Sequence, residues 1–255
     1  MLLGLCSVTF RDLEVDDLLA IAQGNSLHTI EWGADKHVRP DDLKLAAEVR
    51  KKSRSAGLTE VSYGSYYRAG HPENDYSFTQ VLGAAAMLGA NQIRVWAGKK
   101  GSADFSEADY ERLVDDLKAC CKEAEKQSIR IILEYHRNTY TDTPENARKL
   151  LEACDEPNLN IGWQPDVGGS MEHHKHSIET LGPWIDTIHV FQWDEIPNRY
   201  PLEDGLEVWQ QYVEWLRAAG FKRERYLLEF VKDDDMVQFS RDVSTLRDIV
   251  GHSFL

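Results

Sequence analysis

Four ligand-capable side chains close four successive apolar runs: Glu134 in RIILEY (130–135), Gln164 in LNIGWQ (159–164), His189 in DTIHVFQ (186–192) and Glu229 in RYLLEFV (225–231). An acid at the tip of an apolar strand is costly unless something pairs with it. Strand alternation puts Glu134 on the face of Arg130 and Ile132, His189 in phase with Thr187 and Phe191, and Glu229 in phase with Leu227. Two glutamates, a histidine and an amide converging at one rim form an oxygen-rich, nitrogen-poor site. That mix suits one divalent cation, Mn²⁺, Mg²⁺ or Co²⁺ ahead of Zn²⁺. Asp166 shares Gln164's face and is the alternative ligand if the sixth strand runs further; Gln164 is preferred. Taken singly, a strand-end glutamate is commonly solvated and a lone histidine commonly a satisfied core group. The joint placement is the signal.

Positioning these groups takes a barrel. Four more runs precede them, at 2–8, 28–32, 58–63 and 92–97, and amphipathic patterns lie between all eight. In SEADYERLVDDLKACCKEAEKQ, Ser106 is an N-cap, acids fill the first turn, and Leu113, Leu117, Cys120 and Cys121 mark one apolar face. Pro144 opens a second helix and Gly57 closes a third. Eight strands separated by helical crossovers predict a single-domain (β/α)8 TIM barrel over residues 1–255, with its chemistry in the loops after the strands. No GxGxxG turn supports a doubly wound sheet instead.

The net charge of -14 and pI near 5.1 argue against nucleic-acid binding and favour a cleft that attracts a cation. No apolar stretch is long enough to span a membrane, and the acidic N-terminus does not read as a secretory signal. Four cysteines without metal or CxxC spacing fit reduced thiols and a cytoplasmic protein. Exposed apolar helix faces would fit a homo-oligomer, although no extra apolar stripe marks one.

Further candidates gather at the same rim. Arg94 and Trp96 alternate together on the fourth strand; a buried Arg94 needs either a carboxylate partner or an anionic substrate. Glu31 is that partner or a sugar-hydroxyl acceptor. His136 contacts substrate or supports the metal ligands, and Arg199 reaches substrate or is a solvated loop residue. Tyr66, in SYGSYYRAG (62–70), lies in a loop over the mouth where Gly64 permits a sharp turn. Trp96 and Trp193 are the candidates for stacking on a substrate ring, whereas Trp163 is out of phase with Gln164 and faces a helix. The histidines of MEHHKH (171–176) read as exposed residues starting a helix, since none form an i,i+4 pair.

LEYH (133–136), GWQPD (162–166), HVFQW (189–193) and LEFVKDD (228–234) resemble the motifs of the xylose isomerase-like TIM barrels, the sugar phosphate isomerase/epimerase family. The resemblance implies one divalent metal held at the ends of strands five to eight, with Glu134, His189 and Glu229 matching the family pattern. Gln164 departs from it, standing where an aspartate is usual. It further implies a metal-dependent isomerase or epimerase on a small carbohydrate or polyol, with Glu134 and Glu229 trading protons next to a carbonyl through an enediolate. The same ligands would serve a lyase that dehydrates keto-sugars or keto-inositols. A non-catalytic carbohydrate-sensing barrel is the third reading.

Overall fold

Every apolar run becomes a strand in the computed structural model, which describes residues 1–194 and 198–251. The strands are β1 (Leu2–Cys6), β2 (Thr29–Gly33), β3 (Glu60–Ala69), β4 (Gln92–Ala97), β5 (Arg130–Glu134), β6 (Leu159–Trp163), β7 (Ile185–Val190) and β8 (Arg225–Leu228). All pair in parallel with their sequence neighbours, and β8 returns to β1 with Leu3 opposite Tyr226, closing the barrel. After each strand comes a helix: α1 (Val15–Gly24), α2 (Leu43–Ser55), α3 (Phe78–Leu88), α4 (Glu107–Glu125), α5 (Pro144–Cys154), α6 (Met171–Leu181), α7 (Leu206–Ala218) and α8 (Met236–Gly251). The single-domain (β/α)8 expectation holds.

Strand alternation divides the core in two. Ile93, Val95, Ile131, Leu133, Ile161, Ile188 and Tyr226 point outward and are buried under the helices. Helix ends form as their residues dictate. Ser106 Oγ accepts from Asp109 N and the Asp109 side chain reaches back, a reciprocal cap for α4. Thr143 caps α5 with Pro144 at its first turn, and Gly57 follows α2 with φ +83°. Leu113, Leu117, Cys120 and Cys121 are all buried. Among the described residues no helix is long and apolar enough to cross a membrane.

One expectation fails. Residues 62–70 are not a loop, because β3 continues through them to Ala69, with its register to β4 shifting between Gly64 and Arg68. The backbone reversal sits at Tyr66, with φ +57°, rather than at Gly64. Gly64 serves proximity instead: a Cβ there would lie 2.8 Å from Glu31 Oε1 and 2.9 Å from Arg94 Nη2.

The pole where the strands begin is closed by ionic groups. Arg225, fully buried, pairs with Glu60, and Asp186 lies 3.3 Å from Arg130 and 2.5 Å from Arg223. The opposite pole, where the strands end, is the mouth.

Candidate active site at the barrel mouth

Arg94 organises the mouth from β4. Its Nε donates to Glu31 Oε1 on β2 (2.8 Å) and its Nη1 to Glu134 Oε2 at the end of β5. Trp96 donates its Nε1 to that same Glu134 oxygen. Glu134 Oε1 lies 3.4 Å from Gln164 Nε2 and 3.9 Å from His189 Nδ1. His189 Nδ1 in turn lies 3.4 Å from Glu229 Oε2. The ends of β5 to β8 thus bring Glu134, Gln164, His189 and Glu229 into one buried group.

Gln164 presents a donor to this group. Its Nε2 also donates to Tyr135 O at 3.0 Å, so two acceptors fix the amide with its nitrogen inward. Asp166, the alternative fourth ligand, is turned away: it accepts from Tyr135 OH at 2.7 Å and faces His173 Nε2 at 2.7 Å.

Electrostatics separate the two carboxylates. Burial would raise the pKa of Glu134, but Arg94, aided by His189, His136 and the Trp96 N–H, holds it below the ordinary carboxylate range. Burial also disfavours a charge on His189. Against that, Cys6 and then the Glu229 carboxylate raise the imidazole well above its usual range, while burial pushes the Cys6 thiol itself up to about 12.

Cys6 is the group that sequence reading passed over. Its sulfur, a Glu31 oxygen and a His189 nitrogen all lie within 4.8 Å of one another, a second donor set sharing His189. The signal was present, because Cys6 closes β1 as Glu134 closes β5.

A divalent cation fits this chemistry. Donors that share one ion at about 2.0–2.2 Å lie about 3–4 Å from one another. Each carboxylate meets that condition with His189, at 3.4 Å for Glu229 and 3.9 Å for Glu134, and among the described residues Cys6, Glu31 and His189 are the group whose donor atoms all lie within 4.8 Å of one another. Once His189 gives up its proton, Glu31, Glu134 and Glu229 against Arg94 leave two buried negative charges, the complement of one divalent ion.

The remaining candidates fall into two groups. Around the mouth, His136 stacks on Trp96 (5.5 Å, 14°) and Tyr66 meets Trp96 edge-on at 5.8 Å. Trp193 stacks on Phe191 and shares a small cleft with His136 and Gln164. Glu31 is the partner of Arg94, which settles both as an ion pair. Arg199 pairs with Asp234, lies over Phe230 at 4.6 Å and Trp193 at 5.9 Å, and lines a cleft of about 410 Å³ with Phe10 and Met236. Trp163 donates to Ser177 on α6 at 2.9 Å, facing a helix as expected. The reading of 171–176 as exposed fails at His174, which is buried between Tyr212 OH (2.6 Å) and Asp166 O (2.9 Å).

Comparison with known proteins agrees with this architecture. Residues 19–249 match the family described as xylose isomerase-like TIM barrel. The 3-dehydroshikimate dehydratase of Bacillus anthracis is 27% identical over 241 residues, covering 84% of this chain and 86% of that protein. The crystal structure of the probable 3-DHS dehydratase involved in petrobactin synthesis from Bacillus anthracis superposes with a TM-score of 0.79 at 21% identity, covering 96% and 98% of the two chains. D-psicose 3-epimerase from Clostridium cellulolyticum H10 gives 0.74 at 16% identity, covering 98% and 99%. The isomerase expectation is thereby overturned: the sequence relative aligned along most of both chains is a dehydratase, a lyase, and the epimerase shares the fold at lower identity.

Proposed function

Because this chain belongs to the xylose isomerase-like TIM barrel family, we propose that it is a divalent-metal-dependent dehydratase of a small hydroxylated ketone resembling 3-dehydroshikimate. The observation that carries the reading is the inequality of the two carboxylates. Glu134 is held by Arg94, Trp96 and Gln164, so its proton affinity is low and its position fixed. Among the described residues the Glu229 carboxylate has only the His189 ring as a polar partner. One tethered and one available carboxylate suit an elimination, which needs a single base at carbon.

Glu134, His189 and Glu229 would hold the ion, with Cys6 and Glu31 as further donors beside the same imidazole. Bound there, a divalent cation supplies Lewis-acid polarisation of the substrate carbonyl. The free Glu229 oxygen takes the proton from the carbon next to that carbonyl. The electron pair released forms the new C=C bond as the C–O bond to the β-hydroxyl breaks. His136, stacked on Trp96, is the residue we assign to that oxygen: its Nδ1 donates to Arg137 O at 2.5 Å, leaving Nε2 to deliver the proton completing water. Trp96 and Trp193 flank the substrate plane, Arg94 keeps Glu134 ionised, and the four free cysteines fit a reducing, cytoplasmic setting.

The test is incubation of the Mn²⁺-loaded protein with 3-dehydroshikimate in deuterated water, followed by mass spectrometry. A product lighter by one water supports the reading. Solvent deuterium entering a product of unchanged formula, with no water lost, refutes it.

A further inference from the structure

Several arginines around the mouth are already paired with carboxylates. Arg11 faces Asp35 at 3.1 Å, Arg94 bridges Glu31 and Glu134, and Arg199 pairs with Asp234. Arg68 is different. Among the described residues no carboxylate lies within ion-pair distance of it, and its one side-chain hydrogen bond is a long one, Nη1 to Gly98 O at 3.4 Å. Yet it is firmly placed. It follows the β3 irregularity in register with Trp96, and Asn74 clamps its backbone from both sides, accepting from Arg68 N (2.8 Å) and donating to Arg68 O (3.0 Å). Its guanidinium lies 4.0 Å over the indole of Trp96, the ring whose Nε1 holds Glu134.

A half-buried guanidinium set 4.0 Å over an aromatic ring, with no carboxylate within ion-pair distance among the described residues, is suited to bind an anion. We infer that Arg68 binds a carboxylate carried by the substrate, so that the substrate class is a cyclic hydroxy-ketone acid rather than a neutral sugar. The inference rests on the dehydratase reading for the identity of the ring and on the structure for the anion. The guanidinium fork matches a carboxylate with two parallel N–H···O bonds. The indole of Trp96 separates that anchor from Glu134, so a substrate lying across the indole spans both. Arg137, exposed on the loop after β5, is the other rim arginine without a described carboxylate partner and provides the control for general surface charge.

The experiment compares two ligands on the Mn²⁺-loaded protein by calorimetry: 3,4-dihydroxybenzoate, and catechol, which lacks only the carboxylate. The wild type is expected to bind the acid about 10- to 100-fold more tightly. Arg68→Gln should bring the ratio of the two Kd values close to one, Arg68→Lys should fall between, and Arg137→Gln should preserve it. Unchanged Mn²⁺ content and thermal unfolding in Arg68→Gln would show that the fold and metal centre are intact. Equal binding of both ligands by the wild type, no binding of the acid, or a preference that survives Arg68→Gln overturns the assignment. An acid preference that depends on Arg68, in a protein that releases no water from 3-dehydroshikimate, keeps the anion site and removes the dehydratase. Water release with a KM indifferent to Arg68→Gln does the reverse.

Discussion

The two poles of the barrel both bury charged groups, and their charges add up differently. Where the strands begin, Arg130, Arg223 and Arg225 face Glu60 and Asp186, and the chain's own ions nearly balance. Where they end, three glutamates face one arginine. A buried ionic cluster that closes on itself is architecture. One left two charges negative once His189 gives up its proton calls for a cation from outside the chain, and the mouth is in that state.

Changes at the mouth should therefore act on chemistry before they act on the fold. Glu229→Gln removes the base and Glu134→Gln loosens the metal centre, and either is expected to lower kcat/KM for water loss by about 10²–10⁴-fold, with little change in thermal unfolding for Glu229→Gln and a lower melting temperature for Glu134→Gln, which takes a counter-charge from buried Arg94. Steady-state kinetics beside a melting curve would check both. Asp186→Asn should behave in the opposite way. It removes a buried carboxylate shared by the partly exposed Arg130 and Arg223 and by buried Arg225, at a cost of about 3 kcal/mol in denaturant unfolding, while metal content and kcat persist.

The third expectation is a pH effect. His189 has a raised pKa, so in the metal-free protein its proton stabilises the fold below the ordinary imidazole range, and that stability is lost as pH climbs through the raised value. The same proton competes with a metal for Nδ1. Metal affinity should accordingly increase as pH rises above the usual imidazole range, with proton release on binding, measurable by calorimetry in two buffers of different ionisation heat. Smallest is Ser106→Ala on the outer helix, which belongs to neither pole. It should cost about 1 kcal/mol in unfolding and nothing in turnover.

The barrel was legible because strand and helix periods are local: Leu113, Leu117 and Cys121 share a face whatever surrounds them. Glu134, His189 and Glu229 were legible because strand ends meet at one rim in any closed parallel barrel. What was hidden depended on choices between partners. Arg94 could pair with a substrate or a carboxylate, and only the placement of β2 beside β3, with Gly64 leaving room, gives it Glu31. Asp166 and Gln164 share a face, and the backbone turn after Trp163 decides that Asp166 meets Tyr135 and His173. His174 looks polar and exposed in sequence, but it spans α6 and α7 to reach Tyr212. The expected loop over the mouth continued as strand, since Ser65, Tyr67 and Ala69 still find partners there: Ser65 Oγ donates to Arg94 O at 2.7 Å, and Tyr67 OH reaches Asp116. Isomerase and lyase, finally, use one ligand set, and the pattern of ligands alone does not distinguish where the proton goes.

The most direct test is the Mn²⁺ stoichiometry of the wild type, Glu134→Gln, Glu229→Gln and Asp186→Asn by equilibrium dialysis. One ion per chain in the wild type and Asp186→Asn, with binding weakened sharply in both glutamate variants, is the expected result. Undiminished binding in Glu134→Gln and Glu229→Gln would place the cation elsewhere and contradict the assignment of the mouth.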